Sequence, residues 1–509
     1  MTAPPATPTV LAPRARLGLE IAAAGVIGGV VGDQLLGAMP WGLNVALGTA
    51  ALVGTGAWLV RRHQVKYGPD APWLAITALL LGLAFLRRDA EALAAFDALA
   101  LVGALALAAA SLQGEQIAKW YPLDLIRALV TSSVASVFGG FRLLFSDIQW
   151  HALPQDDRWR TLRRVLLGVA LAAPLLLVFA ALFASADQVF NNVLTNVFDF
   201  NLESVVRHTF FMVFWAFLVA GYLRWSMLGR PVQGVTLEAK PIVSVVPLAT
   251  ALGLLNALFL LFVVVQLRYF FGGSAVVAET SGLTYAEYAR RGFFELMTAS
   301  GLVLPILLGA DELVRKGAAP QLRVVRQLSG LLLAFLAVIM LSALQRMRLY
   351  VAAFGLSDQR LYATAFMILL IGVFGWFAWT VLRGQRQRFV FGALMQGLAV
   401  LAGLHLLNPD AFIVKTNLNR PAAERPFDAK FALTLGGDAV PPLLTALPQL
   451  TEQDRCLVVH GLLKRWGTEE VDWRTWNWSR ARARALVRGQ AAALRASCPT
   501  PVKEQRNDH

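Results

Sequence analysis

Long apolar runs that alternate with short arginine-rich segments dominate this sequence. Eleven runs approach the roughly 20 apolar residues that a helix needs to cross the hydrocarbon core of a bilayer. Of the 509 residues, 57% are hydrophobic and only 15% are charged. Soluble domains carry about one quarter charged residues, so this balance argues against a soluble multidomain enzyme. The sequence predicts an all-α fold, a polytopic helical membrane bundle.

The apolar runs divide the chain into a transmembrane domain, 1–407, and a tail, 408–509. The third run is short, so 72–112 is either two spans or a re-entrant hairpin. Residues 122–145 alternate apolar and small polar positions, which favours a helix lying at the membrane interface. The predicted spans are 17–36, 41–60, 72–86, 92–112, 165–186, 207–228, 246–268, 293–313, 328–345, 361–382 and 389–407.

Basic residues between the spans predict the orientation of the chain. With the N-terminus inside, the inner segments hold 22 Lys and Arg, whereas the outer segments hold nine. Because positive residues in short loops stay cytoplasmic, we expect a cytoplasmic N-terminus and an extracytoplasmic tail. The net charge of +14 then reflects topology and not a nucleic-acid partner. We expect the lipid bilayer and other envelope proteins as partners, and no nucleic acid.

The tail is charged, and its apolar residues recur at helical spacing. One helix is predicted around 457–466 and a second over 479–496, so the tail should form a small helical domain. Both cysteines of the chain, Cys456 and Cys498, lie in it. An oxidising envelope permits a disulfide between them, and two unpaired buried thiols are the alternative.

The segment 283–295 is the most informative candidate for chemistry. Thr284 and Glu287 form a capping box, and the charges that follow recur at spacings of three and four, where helix neighbours form ion pairs. One interpretation is an interfacial anchor with neutralised charges. The other is an outward-opening site that binds an anion or moves protons. The candidate residues are Tyr285, Glu287, Tyr288, Arg290, Arg291 and Glu295.

The first span carries two overlapping Gly-x-x-x-Gly pairs, formed by Gly25, Gly28, Gly29 and Gly32. They predict a close contact with another helix, and an ordinary glycine-rich apolar helix is the alternative.

Three further motifs accompany the 285–296 run: Ala184-Ser185-Ala186-Asp187, Asn408-Pro409-Asp410 and Asn417-Leu418-Asn419-Arg420. Together they resemble an uncharacterised family of bacterial multi-pass membrane proteins, a domain of unknown function. The resemblance implies a protein of the bacterial plasma (inner) membrane and carries no activity with it. It adds Asp410 and Asn417 to the candidate residues.

Function follows only as a set of hypotheses. We expect a protein that is not an enzyme and has a sensing, scaffolding or regulatory role in the envelope. The alternatives are a transporter or channel that uses the 285–295 segment, and a membrane-embedded enzyme that acts on lipid or cell-wall precursors through acids such as Asp410. The sequence assigns no catalytic residue, no cofactor and no metal site.

Overall fold

The computed structural model describes residues 13–148, 202–229, 245–271, 293–314, 319–420, 427–467 and 472–499, with scattered positions between 161 and 190. Within these ranges the regular secondary structure is helical, with no strand. Ten of the described helices are long and apolar enough to cross a membrane. The predicted multi-pass helical membrane bundle is therefore confirmed.

The described helices of the bundle agree with the predicted spans except in three places. The predicted span 72–86 corresponds to the helix Ala71–Ala84, whose 14 residues make it shorter than the ten candidate spans. The predicted span 165–186 lies largely outside the described residues. The segment predicted to lie at the interface forms α5, which is itself long and apolar enough to cross. In chain order the bundle helices are α1 (Pro13–Leu36), α2 (Leu43–Arg62), α3 (Ala71–Ala84), α4 (Glu91–Leu112), α5 (Pro122–Arg142), α6 (Leu202–Leu228), α7 (Val245–Phe271), α8 (Phe293–Leu313), α9 (Ala319–Phe354), α10 (Asp358–Thr380) and α11 (Gln387–Leu407).

The bundle has two ends, which we name the far face and the tail face. The far face carries the start of α1 and the end of α2, where the Arg62 side chain donates to Glu20. The tail face carries the end of α3, where the Asn477 side chain of the tail donates to the Phe85 carbonyl over 2.7 Å. The tail contacts the bundle at this second end.

Helices α3 and α4 run from one face to the other. At the far face, the Gly68 amide before α3 donates to the Ser111 carbonyl near the end of α4, at 2.7 Å. At the tail face, Asn477 contacts the carbonyl of Phe85, directly after α3. Helices α3 and α4 therefore form an antiparallel pair whose turn lies at the tail face.

Helix α5 begins at the far face and then runs alongside α6. Beside its start, the Gln387 side chain at the beginning of α11 donates to the Tyr121 hydroxyl. Further along, Ser132 accepts the Trp225 indole hydrogen, and Gly140 lies against Phe217, nearer the middle of α6.

Beyond the end of α5, a π-helical turn brings Asp147 to Arg14 at the start of α1 and to Arg224 near the end of α6. Helix α5 therefore packs lengthwise on α6, and its placement at the membrane interface stays a prediction.

The glycines of α1 pack against α6. An additional Cβ at Gly25, Gly28, Gly29 or Gly32 would lie 2.5 to 2.8 Å from an atom of α6. Small residues allow helix backbones to approach closely, which is the main source of helix association in lipid. The two helices thus form the close contact that the glycine spacing predicts.

The tail forms a second hydrophobic core on top of the bundle. The predicted stripe of apolar residues lies on α15 (Glu452–Trp466) and is buried, with Val458, Leu462 and Trp466 at most 5% exposed. The predicted helix 479–496 is interrupted at Gln490 and forms α16 and α17. The tail helices are α12 (Pro409–Leu418), α13 (Ala429–Thr434), α14 (Val440–Ala446), α15 (Glu452–Trp466), α16 (Trp478–Gly489) and α17 (Ala491–Ser497).

A disulfide joins α15 to the end of α17. Cys456 and Cys498 have their Cα atoms 5.4 Å apart and are 42 residues apart in the chain. Cys498 is 3% exposed and belongs to the tail core. In the chain-entropy model, closing a loop of this length stabilises a fold by about 4 kcal/mol.

The contact between α1 and α6 generates a prediction. Replacing Gly29 by Val should lower the melting temperature of the purified protein, because its Cβ would lie 2.5 Å from the Met212 carbonyl oxygen. Overpacking of this kind costs about 1–3 kcal/mol. The matched control is Gly54→Val on α2, where an added Cβ meets nothing within 4 Å. Equal melting temperatures for the two variants would contradict the close contact.

Candidate functional site

Among the described residues, a set of buried charges that links distant parts of the chain lies where the tail meets the bundle. We call it the tail junction, and its residues come from the α3–α4 turn, α4, the end of α11 and the tail. The tail junction comprises Arg88, Asp89, Asp97, His405, Asp410, Asp438 and Arg480.

Asn477 positions the two chain segments that carry most of these charges. It is the N-cap of α16, where its side-chain oxygen accepts the Arg480 amide hydrogen. Its side-chain nitrogen donates to the carbonyls of Phe85 and Arg88 in the α3–α4 turn. One 1%-exposed amide therefore begins a tail helix and fixes the bundle turn beside it.

Arg480 is the central cation of the junction and is 5% exposed. Its Nη1 donates to Asp89, 391 residues away, at 2.5 Å. Its Nη2 donates to the carbonyls of Trp41 and Thr475, each at 2.7 Å. A guanidinium suits this position because its fixed fork of donors can reach a carboxylate and carbonyls together.

Arg88 forms a second charged contact beside the first. Its Nη1 lies 3.0 Å from Asp438 in the tail, and its Nε donates to the His405 carbonyl at the end of α11. Asn408 also donates to Asp438. The α3–α4 turn therefore holds the tail through two arginine–aspartate pairs and the end of α11 through the Arg88 Nε.

Within the tail junction, Asp97 of α4 and His405 of α11 form a buried pair. The His405 Nε2 lies 3.0 Å from both carboxylate oxygens, and the residues are 2% and 9% exposed. Inside a bundle, an ionisable residue is expected to have a partner such as this one. Asp97 and His405 each lie within an apolar run of the sequence, 308 residues apart, and the structure brings them together.

Asp410 is buried in the first turn of α12, with 2% of its surface exposed. Its carboxylate accepts the Gly436 amide hydrogen at 2.9 Å. Burial, together with the neighbouring charges of Asp358, Asp438 and Asp89, raises the pKa of Asp410 to about 7, although the Gly436 hydrogen bond opposes this shift. This carboxyl therefore changes charge near neutral pH.

The backbone of Gly436 lies directly against the Asp410 carboxylate and covers it. A Cβ at position 436 would lie 2.7 Å from the Asp410 Oδ2 and 2.6 Å from the Asp89 carbonyl oxygen. Only a glycine permits the tail backbone to cover the carboxylate at this distance.

The other sequence candidates have separate places. Asn417 lies on α12, where its side chain accepts the Leu356 amide hydrogen and donates to the Leu356 carbonyl. It therefore closes the α9–α10 turn. Glu295 lies in the first turn of α8. The remaining candidates, Tyr285, Glu287, Tyr288, Arg290 and Arg291, lie outside the described residues.

The described side chains contain no group of three or more His, Cys, Asp or Glu arranged to hold a metal ion. The tail junction can bind and release a proton at Asp410, and its ion pairs join the tail to the bundle. Its carboxylates are paired with arginines, a histidine or backbone amides.

Sequence reasoning missed Arg88, Asp89, Asp438 and Arg480 as a group. Arg480 is one of several arginines on a charged helix, and Arg482 on the same helix is exposed. One local signal was present: Asn477 immediately before Trp478 is a typical N-cap, which places Arg480 in the first turn. An arginine there is at the unfavourable end of the helix dipole and thus needs an anionic partner.

The raised pKa of Asp410 generates a prediction about pH. Between about pH 4 and pH 7 the folded protein retains a proton that the unfolded chain has released, so this residue lowers stability as pH rises through that window. Asp410→Asn should remove this dependence while preserving an acceptor for Gly436. At pH 8 the variant should be more stable by up to about 4 kcal/mol, and near pH 4 it should resemble the parent protein.

Thermal unfolding of both proteins across this range measures the difference. The comparison variant is Asp438→Asn, which removes the charged partner of Arg88 and should be less stable at every pH. A parent protein whose stability is flat between pH 4 and pH 8, or an Asp410→Asn variant that is less stable at pH 8, would contradict the assignment.

Comparisons with known proteins give a family but no activity. A family model described as a domain of unknown function, DUF4153, matches residues 75–446. This range begins within α3, includes α4 to α11 and continues into the tail through α14. No curated protein and no solved structure matches the chain. Since the match covers well over half of the sequence, the chain belongs to the DUF4153 family.

Proposed function

We propose that the protein is a non-enzymatic component of the bacterial cell envelope, with a sensing, scaffolding or regulatory role in the plasma membrane. The observation that carries the proposal is the Arg480–Asp89 pair, through which the membrane bundle holds a folded tail domain in one orientation. A domain fixed in this way can present a defined surface beside the membrane. The buried Asp410, whose pKa is about 7, adds a group whose charge changes with pH near neutrality.

The position of Asp410 supports this proposal over an enzyme that uses the same acid. A catalytic carboxyl has to reach its substrate. Asp410 is 2% exposed and is covered by the backbone of Gly436. Its surroundings suit a residue that responds to tail docking better than one that contacts a lipid or a cell-wall precursor.

In the proposed orientation, the far face is cytoplasmic and the tail is extracytoplasmic. Basic residues support this assignment, since Arg14, Arg62, Arg224 and Arg386 contact carboxylates at the far face. The disulfide supports it as well, because an oxidising compartment outside the cytoplasm permits such a bond.

Reporter fusions test the orientation. A reporter that is active only outside the cytoplasm should work when fused after Arg420 and should fail when fused after Arg386. Thiol labelling of the denatured, unreduced protein should leave Cys456 and Cys498 unlabelled until a reductant is added. An active fusion at Arg386 with a silent one at Arg420, or labelling of both cysteines without reductant, would overturn the proposed orientation.

Release of the tail tests the function. Arg480→Ala leaves Asp89 without its buried cation, and breaking such a pair costs about 3–5 kcal/mol. We expect the tail to become sensitive to protease while the amount of protein in the membrane is kept. The matched control is Arg482→Ala, since Arg482 lies two residues further along the same helix and is exposed.

If presentation of the tail is the function, Arg480→Ala fails to complement a deletion of the gene, whereas Arg482→Ala complements it. Envelope proteins that copurify with the parent protein should be lost from Arg480→Ala alone. Full complementation by Arg480→Ala with a protease-sensitive tail would refute the proposal.

A further inference from the structure

The segment that leads into α16 has its polar side chains buried and its tryptophans exposed. We name this segment, residues 472–478, the tryptophan loop. Trp473, Trp476 and Trp478 are 60, 39 and 59% exposed, whereas Thr475 and Asn477 are 7% and 1% exposed. A segment that faces water shows the opposite arrangement, since single exposed apolar residues are common but a group of large ones beside buried polar residues is not. The tryptophan loop therefore presents an aromatic surface that is suited to a partner other than water.

Backbone hydrogen bonds fix the tryptophan loop against the tail face of the bundle. The Trp476 carbonyl accepts the amide hydrogen of Leu43, the first residue of α2, at 2.9 Å. The Trp478 amide donates to the Leu86 carbonyl just beyond α3, at 2.7 Å. Helix α2 is one of the candidate membrane spans, so its first residue lies near the boundary between hydrocarbon and headgroups. The three tryptophans are thus at the depth where tryptophans are enriched in membrane proteins.

The exposed apolar surface continues from the tryptophan loop onto the bundle. Met39 and Trp41, in the turn before α2, are 71% and 38% exposed. The Trp41 ring packs edge-on against Phe85, with ring centroids 6.0 Å apart, and the Asn477 side chain donates to the carbonyl of the same Phe85. The surface of the spanning helices and that of the tryptophan loop are therefore continuous at the tail face.

The charges of the tryptophan loop neutralise each other. The Arg474 Nε donates to both carboxylate oxygens of Asp472, and the Arg474 Nη2 lies 2.6 Å from the Asp472 Oδ2. Arg474 also donates to the Gln34 carbonyl near the end of α1. Because this pair has no net charge, attraction of the loop to a membrane depends on its indole rings and not on anionic lipid.

We propose that the tryptophan loop lies in the lipid headgroup region of the leaflet at the tail face and anchors the tail domain to the bilayer surface. An indole ring suits this position, because its body is apolar and its N–H can donate to a headgroup or to water. The tail then has two attachments, its ion pairs to the bundle and its tryptophans in lipid. The proposal is independent of the role proposed for the tail.

Photo-crosslinking of the full-length parent protein tests the proposal. The protein is placed in phosphatidylcholine nanodiscs with a lipid that carries a diazirine close to the headgroup end of one acyl chain. After illumination, digestion and mass spectrometry locate the lipid adducts. We expect adducts on the tryptophan loop and none on Glu452 and Gln453, which are exposed in the first turn of α15.

The yield of adducts should be the same in phosphatidylglycerol nanodiscs and at high salt, since Asp472 and Arg474 neutralise each other. A tryptophan loop without adducts would overturn the proposal. Adducts that form only with phosphatidylglycerol would overturn it as well, because they would indicate an electrostatic contact.

Fluorescence quenching by brominated lipid provides a second measurement. Substituting Trp473→Phe together with Trp478→Phe removes two indoles that contact lipid in the proposal, so the fraction of tryptophan fluorescence quenched by the lipid should fall. The control is Trp466→Phe, which removes an indole that is 5% exposed in the tail core, so the quenched fraction should not fall. If the lost fluorescence of the double variant were quenched by aqueous acrylamide alone, or by neither quencher, the loop would face water or a protein partner, and the proposal would be wrong.

Discussion

The desolvated guanidinium of Arg480 is the interaction on which the arrangement of tail and bundle depends. A charge that is 5% exposed is stable only if its hydrogen bonds are made within the protein. Asp89 and the carbonyls of Trp41 and Thr475, which come from the bundle and from the tail, accept from its two terminal nitrogens, whereas its Nε has no hydrogen-bond partner among the described residues. The α3–α4 turn, the start of α2 and the start of α16 must therefore all be in place together. Because separation of the tail would leave both Arg480 and Asp89 unpaired, docking is specific as well as stable.

A different principle organises the bundle itself. In lipid the apolar surface gives little preference for one neighbour over another, so close packing and buried polar contacts determine which helices meet. The glycines of α1 supply close packing against α6. Asp147 supplies a polar contact, because it joins α1 and α6 at the far face through Arg14 and Arg224. The tail junction is the counterpart of this contact at the other end of the bundle.

The sequence predicted those features whose signal is local. Apolar runs located the spans, the period of apolar residues located α15, and the glycine spacing indicated the α1–α6 contact. The charged contacts were beyond its reach, because Arg480 and Asp89 are separated by 391 residues and Asp97 and His405 by 308. The N-cap at Asn477 distinguishes Arg480 from the exposed Arg482 on the same helix, but no local signal identifies Asp89 as the partner of Arg480.

The separation of Arg480 from Asp89 by 391 residues has a consequence for the order of assembly. The α3–α4 turn is synthesised first, and at about 5–20 residues per second the ribosome needs roughly 20–80 s to reach Arg480. During that interval Asp89 lacks the guanidinium that pairs with it in the folded protein. The bundle therefore completes its polar contacts at the tail face only after the tail has been made.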